Sequence, residues 1–202
     1  MVMVESCEGR TIAIPGWIAK SVVRALHANR FHLPGWIRKM ALRRLFVLTA
    51  DAFDVAVPEL SRLSAPSLLT RYALFTREQA YTALDSATGP AVVMDRLYQR
   101  SHELGSQLRR ILHLSTEQDV IRVSQLMYAV LGIDMHGGCQ GKVTITHCFF
   151  SATYTPDVCR VISALDAGIA SGLSAGRELV FVQRITEGRA SCEAVLQEVH
   201  PT

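Results

Sequence analysis

Apolar residues change their period near residue 132. Before it they recur every three or four positions, the spacing of amphipathic helices. After it, short stretches alternate in twos, the spacing of strands. Two early segments echo each other: "IPGWIAKSVVRAL" (14–26) and "LPGWIRKMALRRL" (33–45). They predict two short helices, each entered through a Pro-Gly turn. In the second, Ile37, Ala41, Leu45 and Leu48 form one stripe, with Arg38, Lys39, Arg43 and Arg44 mostly elsewhere. Trp17 and Trp36 read as twin anchors in the core. Pro58 and Pro66 break the next stretch into a connection with room for one short helix. Thr76 and Gln79 have capping-box spacing and predict a helix ending near Gly89. A long helix follows from Pro90 to about Leu114, apolar along Val93, Leu97, Leu104, Leu108, Ile111 and Leu112. Ser115 and Gln118 predict another capping box, with Val120, Val123, Met127, Val130 and Leu131 as its stripe up to Gly132.

The remaining third differs. "HGGCQG" is a glycine-rich loop without the Lys-Ser/Thr of a phosphate-binding loop. "KVTITHCFFSATY" is β-branched and aromatic, hence a strand. Simple alternation puts Val143, Ile145, His147 and Phe149 on one face and Thr144, Thr146, Cys148, Phe150 and Ala152 on the other. Thr155 and Pro156 supply an N-cap and a first helical position. That helix stops between Gly172 and Gly176. "ELVFVQRIT" and "CEAVLQEV" read as two strands of an antiparallel hairpin. The expectation is an α+β fold: a helical N-terminal two-thirds packed on a small antiparallel sheet with one further helix. No linker divides it, so 1–202 reads as one domain, mostly helical over 1–131 and strand–helix–hairpin over 132–202.

Composition narrows the function classes. The 202 residues are 49% hydrophobic and 19% charged, ordinary for a globular domain able to bury a large core. The net charge of +3 is mild, and the basic residues are nearly all Arg. The basic run "IRKMALRRL" lacks interleaved aromatics and reads as a solvated face, so no nucleic acid is expected. No stretch is long and apolar enough to span a membrane. The five cysteines, an odd number, come without a secretory signal; reduced thiols and a cytoplasmic location follow.

Chemistry concentrates on the helix that starts at Thr155. On a wheel, Val158, Val161, Leu165 and Ile169 face the core. Cys159, Ser163, Asp166 and Ala170 form a neighbouring stripe, where a carboxylate can be held by packing and still meet a ligand. Taken from the helix alone, the plainer interpretation is a surface Asp and a small apolar Cys. His147 suits proton transfer near neutrality. Cys148, Cys159 and Cys192 are candidate thiols, and Cys159 lies in a first helical turn, where thiol pKa falls slightly. His136, Cys139, His147, Cys148, Cys159 and Cys192 are N and S donors, but neither Cys-x-x-Cys nor His-Glu-x-x-His occurs, so no metal and no cofactor is expected. The Gly-x-Ser-x-Gly elbow and the dinucleotide-binding glycine fingerprint are missing too.

Over roughly residues 140–200 the chain resembles the L-2-amino-thiazoline-4-carboxylic acid hydrolase-like family. The resemblance rests on a cysteine-bearing strand, "PDVCRVISALDAGIASGL", a further strand, and "ITEGRASCEAVL". Cys159, Asp166, Gly188 and Cys192 match the family's Cys and Asp on one helix followed by a Gly…Cys hairpin, with Cys148 on the preceding strand. A related four-vinyl-reductase-type domain has a similar Gly-x-x-x-Cys ending. The resemblance implies an enzyme acting on a C–N or C–S bond of a small amino-acid-derived heterocycle, by hydrolytic opening of a thiazoline ring. Asp166 would be a base or bind the amine, Cys159 or Cys192 a nucleophile, and His147 or His136 a proton shuttle. Arg160 or Arg184 would pair with the carboxylate, with Ser163 and Cys148 beside the substrate. Arg189 departs from the family's small acidic residue after the motif glycine. Relatives in actinobacterial natural-product pathways suggest a second outcome, closure of a strained nitrogen ring such as an aziridine with loss of sulfate. There Asp166 or Asp85 would hold the amine and Arg side chains the leaving group. Such relatives work as paired subunits, which leaves a homo- or hetero-dimer open. A third outcome is a non-catalytic binding or scaffold subunit, whose stripe would face solvent or plain core.

Overall fold

The computed structural model describes residues 34–198. Over these, four helices precede a sheet that one more helix crosses, an α+β fold. The helices are α1 (Gly35–Phe53), α2 (Ala65–Asp85), α3 (Ala91–Leu112) and α4 (Glu117–Val130). Strands β1 (Ile133–Gly137) and β2 (Lys142–Cys148), helix α5 (Pro156–Ser174), and strands β3 (Arg177–Gln183) and β4 (Cys192–Glu198) follow. The sheet order is β1-β2-β4-β3, with each neighbouring pair antiparallel. Residues 14–26, including Trp17, lie outside the described residues.

Several boundaries differ from the expectation, each for a physical reason. Helix α1 runs on to Phe53 because Leu45, Phe46, Thr49, Ala50 and Ala52 continue its buried side. Trp36, expected in the core, is 47% exposed. Arg38 is not simply solvated: its Nε donates to the Val130 carbonyl at 2.8 Å, tying α1 to the open end of α4. Helix α2 starts at Ala65, with Ser64 as N-cap and Pro66 in its first turn. Thr76 is therefore no cap. It lies mid-helix, fully buried, and its hydroxyl donates to the Tyr72 carbonyl at 2.8 Å while bonding the Tyr154 hydroxyl. The capping box of α4 is Thr116 with Asp119, one residue beyond the expected pair. Strand β1 was not legible, because a five-residue run ending in His-Gly carries little β signal.

Two packing features fix the site. Helices α3 and α5 touch backbone to backbone. A Cβ on Gly168 would strike Ser101 Oγ and the Tyr98 carbonyl, and one on Gly172 would strike the His102 carbonyl. Small residues four apart on both helices allow this approach. The sheet presents Val143, Ile145, Leu179, Cys192, Ala194 and Leu196 to the helices. Between Asp134 and Met135 the β1–β2 register shifts: Asp134 pairs with His147, but Met135 pairs with Ile145. One extra residue, Thr146, thus sits on β2 and inverts the alternation beyond it.

Candidate functional site

The bulge decides which side chain enters the molecule. Cys148 pairs with the buried Ile133 and turns inward, while His147 is exposed. Cys192 opens β4 opposite Ile145 on the same inner face. Cys159 reaches the same end of the sheet from the first turn of α5. Arg184 and Thr186 come from the short turn after β3, which Gly188 closes with a φ of 82°. Asp166 stands two turns along α5 from Cys159. Tyr128 approaches it from α4.

These groups sense one another. Burial pushes the Asp166 carboxyl up to about 6, against the opposing pull of Tyr128 and Arg184. The residue retains partial exposure through a cleft, although protein surrounds the carboxylate on nearly every other side. Burial raises the Cys148 thiol to about 12, and the nearby Cys159 and Cys192 add to it. Cys159 is also raised, by burial first and then by Asp166, despite its place in a first helical turn. Desolvation there outweighs the helix dipole. Cys192 is raised by burial too, and the Ile185 amide donates to its sulfur at 3.3 Å. The three thiols are therefore protonated at neutral pH. Tyr128 is held far above the phenol range by burial and by Asp166, so it remains a hydrogen-bond donor.

Only four enclosed side-chain polar atoms among the described residues lack a hydrogen-bond partner, and three belong to this cluster: Tyr128 Oη, Arg184 Nε and Thr186 Oγ1. The fourth is His102 Nδ1, on α3. The Tyr128 hydroxyl lies close enough to Asp166 to pull its carboxyl pKa down, and Thr186 does the same to the Cys159 thiol, without either forming a well-aligned hydrogen bond. Arg184 is 15% exposed at its side chain, lies over the Phe181 ring at 4.9 Å, and has Glu187 Oε1 3.9 Å from one terminal nitrogen. Buried donors left without a partner are costly to a fold, and native structures hold few of them.

Other expected site residues lie elsewhere. His136 and His147 are on the outer face, where His136 Nε2 is 3.4 Å from Thr146 Oγ1. Arg160 is at the surface, 2.7 Å from Asp157 and 2.9 Å from Glu187. Asp85 is exposed at the end of α2. The Ser163 hydroxyl donates to the Cys159 carbonyl at 2.7 Å and is spent on its own helix. Among the described residues, no group of three or more His, Cys, Asp or Glu side chains is placed to hold a metal ion. No helix there is long and apolar enough to cross a membrane. Sequence reasoning missed Tyr128 and Thr186. Tyr128 fell beside the helical stripe of α4, and no spacing rule links either residue to Asp166.

Two of the cavities among the described residues border the helices. One, of about 50 Å³, opens beside Asp166 and Tyr128 between α4, α5 and the inner sheet face. The other, about 170 Å³, lies against the start of α4. In its wall Arg177 pairs with Glu117 at 2.6 Å and bonds the Leu196 carbonyl, so those groups are already used by the fold. No family model matches this chain. No curated protein matches it either.

Proposed function

We propose that the Asp166 cluster is the active site of a hydrolase-like enzyme acting on a C–N or C–S bond of a small amino-acid-derived substrate. The observation that carries this reading is a buried carboxyl raised to about 6 with Tyr128 and Arg184 acting on it, in a cluster that also holds three cysteines and three enclosed polar atoms without a well-formed hydrogen bond. A strongly shifted carboxyl beside a cleft is a common mark of a functional site. Arg184 offers a cation for a substrate carboxylate. Tyr128 and Thr186 offer neutral donors to developing negative charge. Asp166, with its pKa near 6, can accept a proton and return it near neutrality. The thiols serve as weak donors in their protonated form. For any one of them to act as a nucleophile, a base must first take its proton. Three matched positions of the resemblance, Cys159, Asp166 and Cys192, together with Cys148, meet here.

The test is turnover of 2-amino-thiazoline-4-carboxylate followed by mass spectrometry. The expected product carries one added water. Asp166→Asn is expected to lower turnover at least a hundredfold, the range of general acid–base catalysis. Release of sulfate from a sulfated diamino acid without added water would instead favour ring closure. Full activity in Asp166→Asn would remove Asp166 from the chemistry.

A further inference from the structure

We propose that the cleft beside Asp166 receives the apolar arm of the substrate, so that the site selects amino-acid derivatives with an aliphatic side chain. This rests on the reading of the Asp166 cluster as a small-molecule site and names what that site holds. The cleft and the polar cluster share two residues, Asp166 and Tyr128. Away from them the described walls are apolar apart from Ser124. The floor is formed by the buried Leu165, Leu179 and Leu196; Ile121, Met127 and Ile169 are only partly buried and form the rim. Half-exposed aliphatic side chains around a concave apolar floor leave surface for a ligand to cover. The free volume of about 50 Å³ leaves room for an aliphatic substituent. Asp166 stands where the two regions meet. A ligand whose amine lies at Asp166 can therefore place an apolar substituent in the cleft.

Calorimetric titration of the full chain with L-alanine, L-2-aminobutyrate, L-norvaline and L-norleucine tests this. These probes share one head group and differ by single methylenes. Affinity is expected to rise about fourfold per methylene, the equivalent of about 0.8 kcal/mol. Ala170→Leu fills the floor and is expected to abolish the gain while leaving alanine unchanged. Ala170 is buried, so a second variant at the rim, Ser124→Leu, guards against misfolding and is expected to flatten the series likewise. Equal affinity for all four probes overturns the proposal, as does binding of none. If the series is flat while Asp166→Asn abolishes binding, the polar site survives and the apolar arm does not. If the series climbs equally in wild type and Asp166→Asn, the arm stands and the Asp166 head site fails.

Discussion

Asp166 sits under two demands that oppose each other. A buried carboxyl held at about 6 takes up protons more readily folded than unfolded. Its ionisation therefore costs stability as pH rises from the ordinary carboxylate value to about 6, and the full cost persists above that. Asp166→Asn removes the charge and keeps the shape. The variant is expected to match wild type below about pH 4 and to exceed it by roughly 3 kcal/mol at pH 7, read from denaturant midpoints across pH. A residue kept at such a cost fits a functional group better than a structural one. Equal stability at every pH would show that the carboxylate is not held in this environment. The thiols give a second check at this scale. Because burial keeps Cys148 protonated to about pH 12, iodoacetamide should modify it far more slowly than an exposed thiol at pH 7.5, by peptide mass spectrometry. Rapid modification would mean a thiolate lies within reach at rest.

At the scale of elements, the contact between α3 and α5 positions Asp166. Gly168 and Gly172 have no room for a Cβ against the α3 backbone, whereas nothing lies within 4 Å of one added at Gly35. Gly168→Ala or Gly172→Ala should lower stability by about 1–3 kcal/mol in chemical denaturation, the cost of overpacking a fitted contact. Gly35→Ala should be neutral or slightly stabilising. Losing the α4 cap with Thr116→Ala should cost about 1 kcal/mol. Equal effects at all three glycines would argue against the close crossing. Helices α3, α4 and α5 and the β3–β4 hairpin were legible because long periods and caps are local signals. The start of α2 was not, since Pro66 reads equally as a breaker and as a first-turn proline. His147 and Cys148 exchanged faces for a different reason. A single bulge residue, Thr146, inverts a strand, and pairing with β1, itself unreadable, decides where the bulge falls.

Across the whole molecule, the sheet's inner end gathers what the sequence scatters. Cys148, Cys159, Asp166 and Cys192 were recognisable as candidates from their helix stripe and motif positions. Tyr128 and Thr186 were not, because their place in the cluster depends on how α4 and the turn after β3 pack onto α5. Histidines chosen for their chemistry remained outside, where no local pattern distinguishes an outward from an inward ring. Asp166 is proposed to lie at a ligand site with Tyr128 and Arg184. The most direct test is a carboxyl-carbon NMR titration of Asp166 in the full chain, with and without saturating 2-amino-thiazoline-4-carboxylate. A midpoint near 6 is expected in the free protein, and it should move when the ligand is bound. A midpoint in the ordinary carboxylate range, unmoved by the ligand, would contradict it.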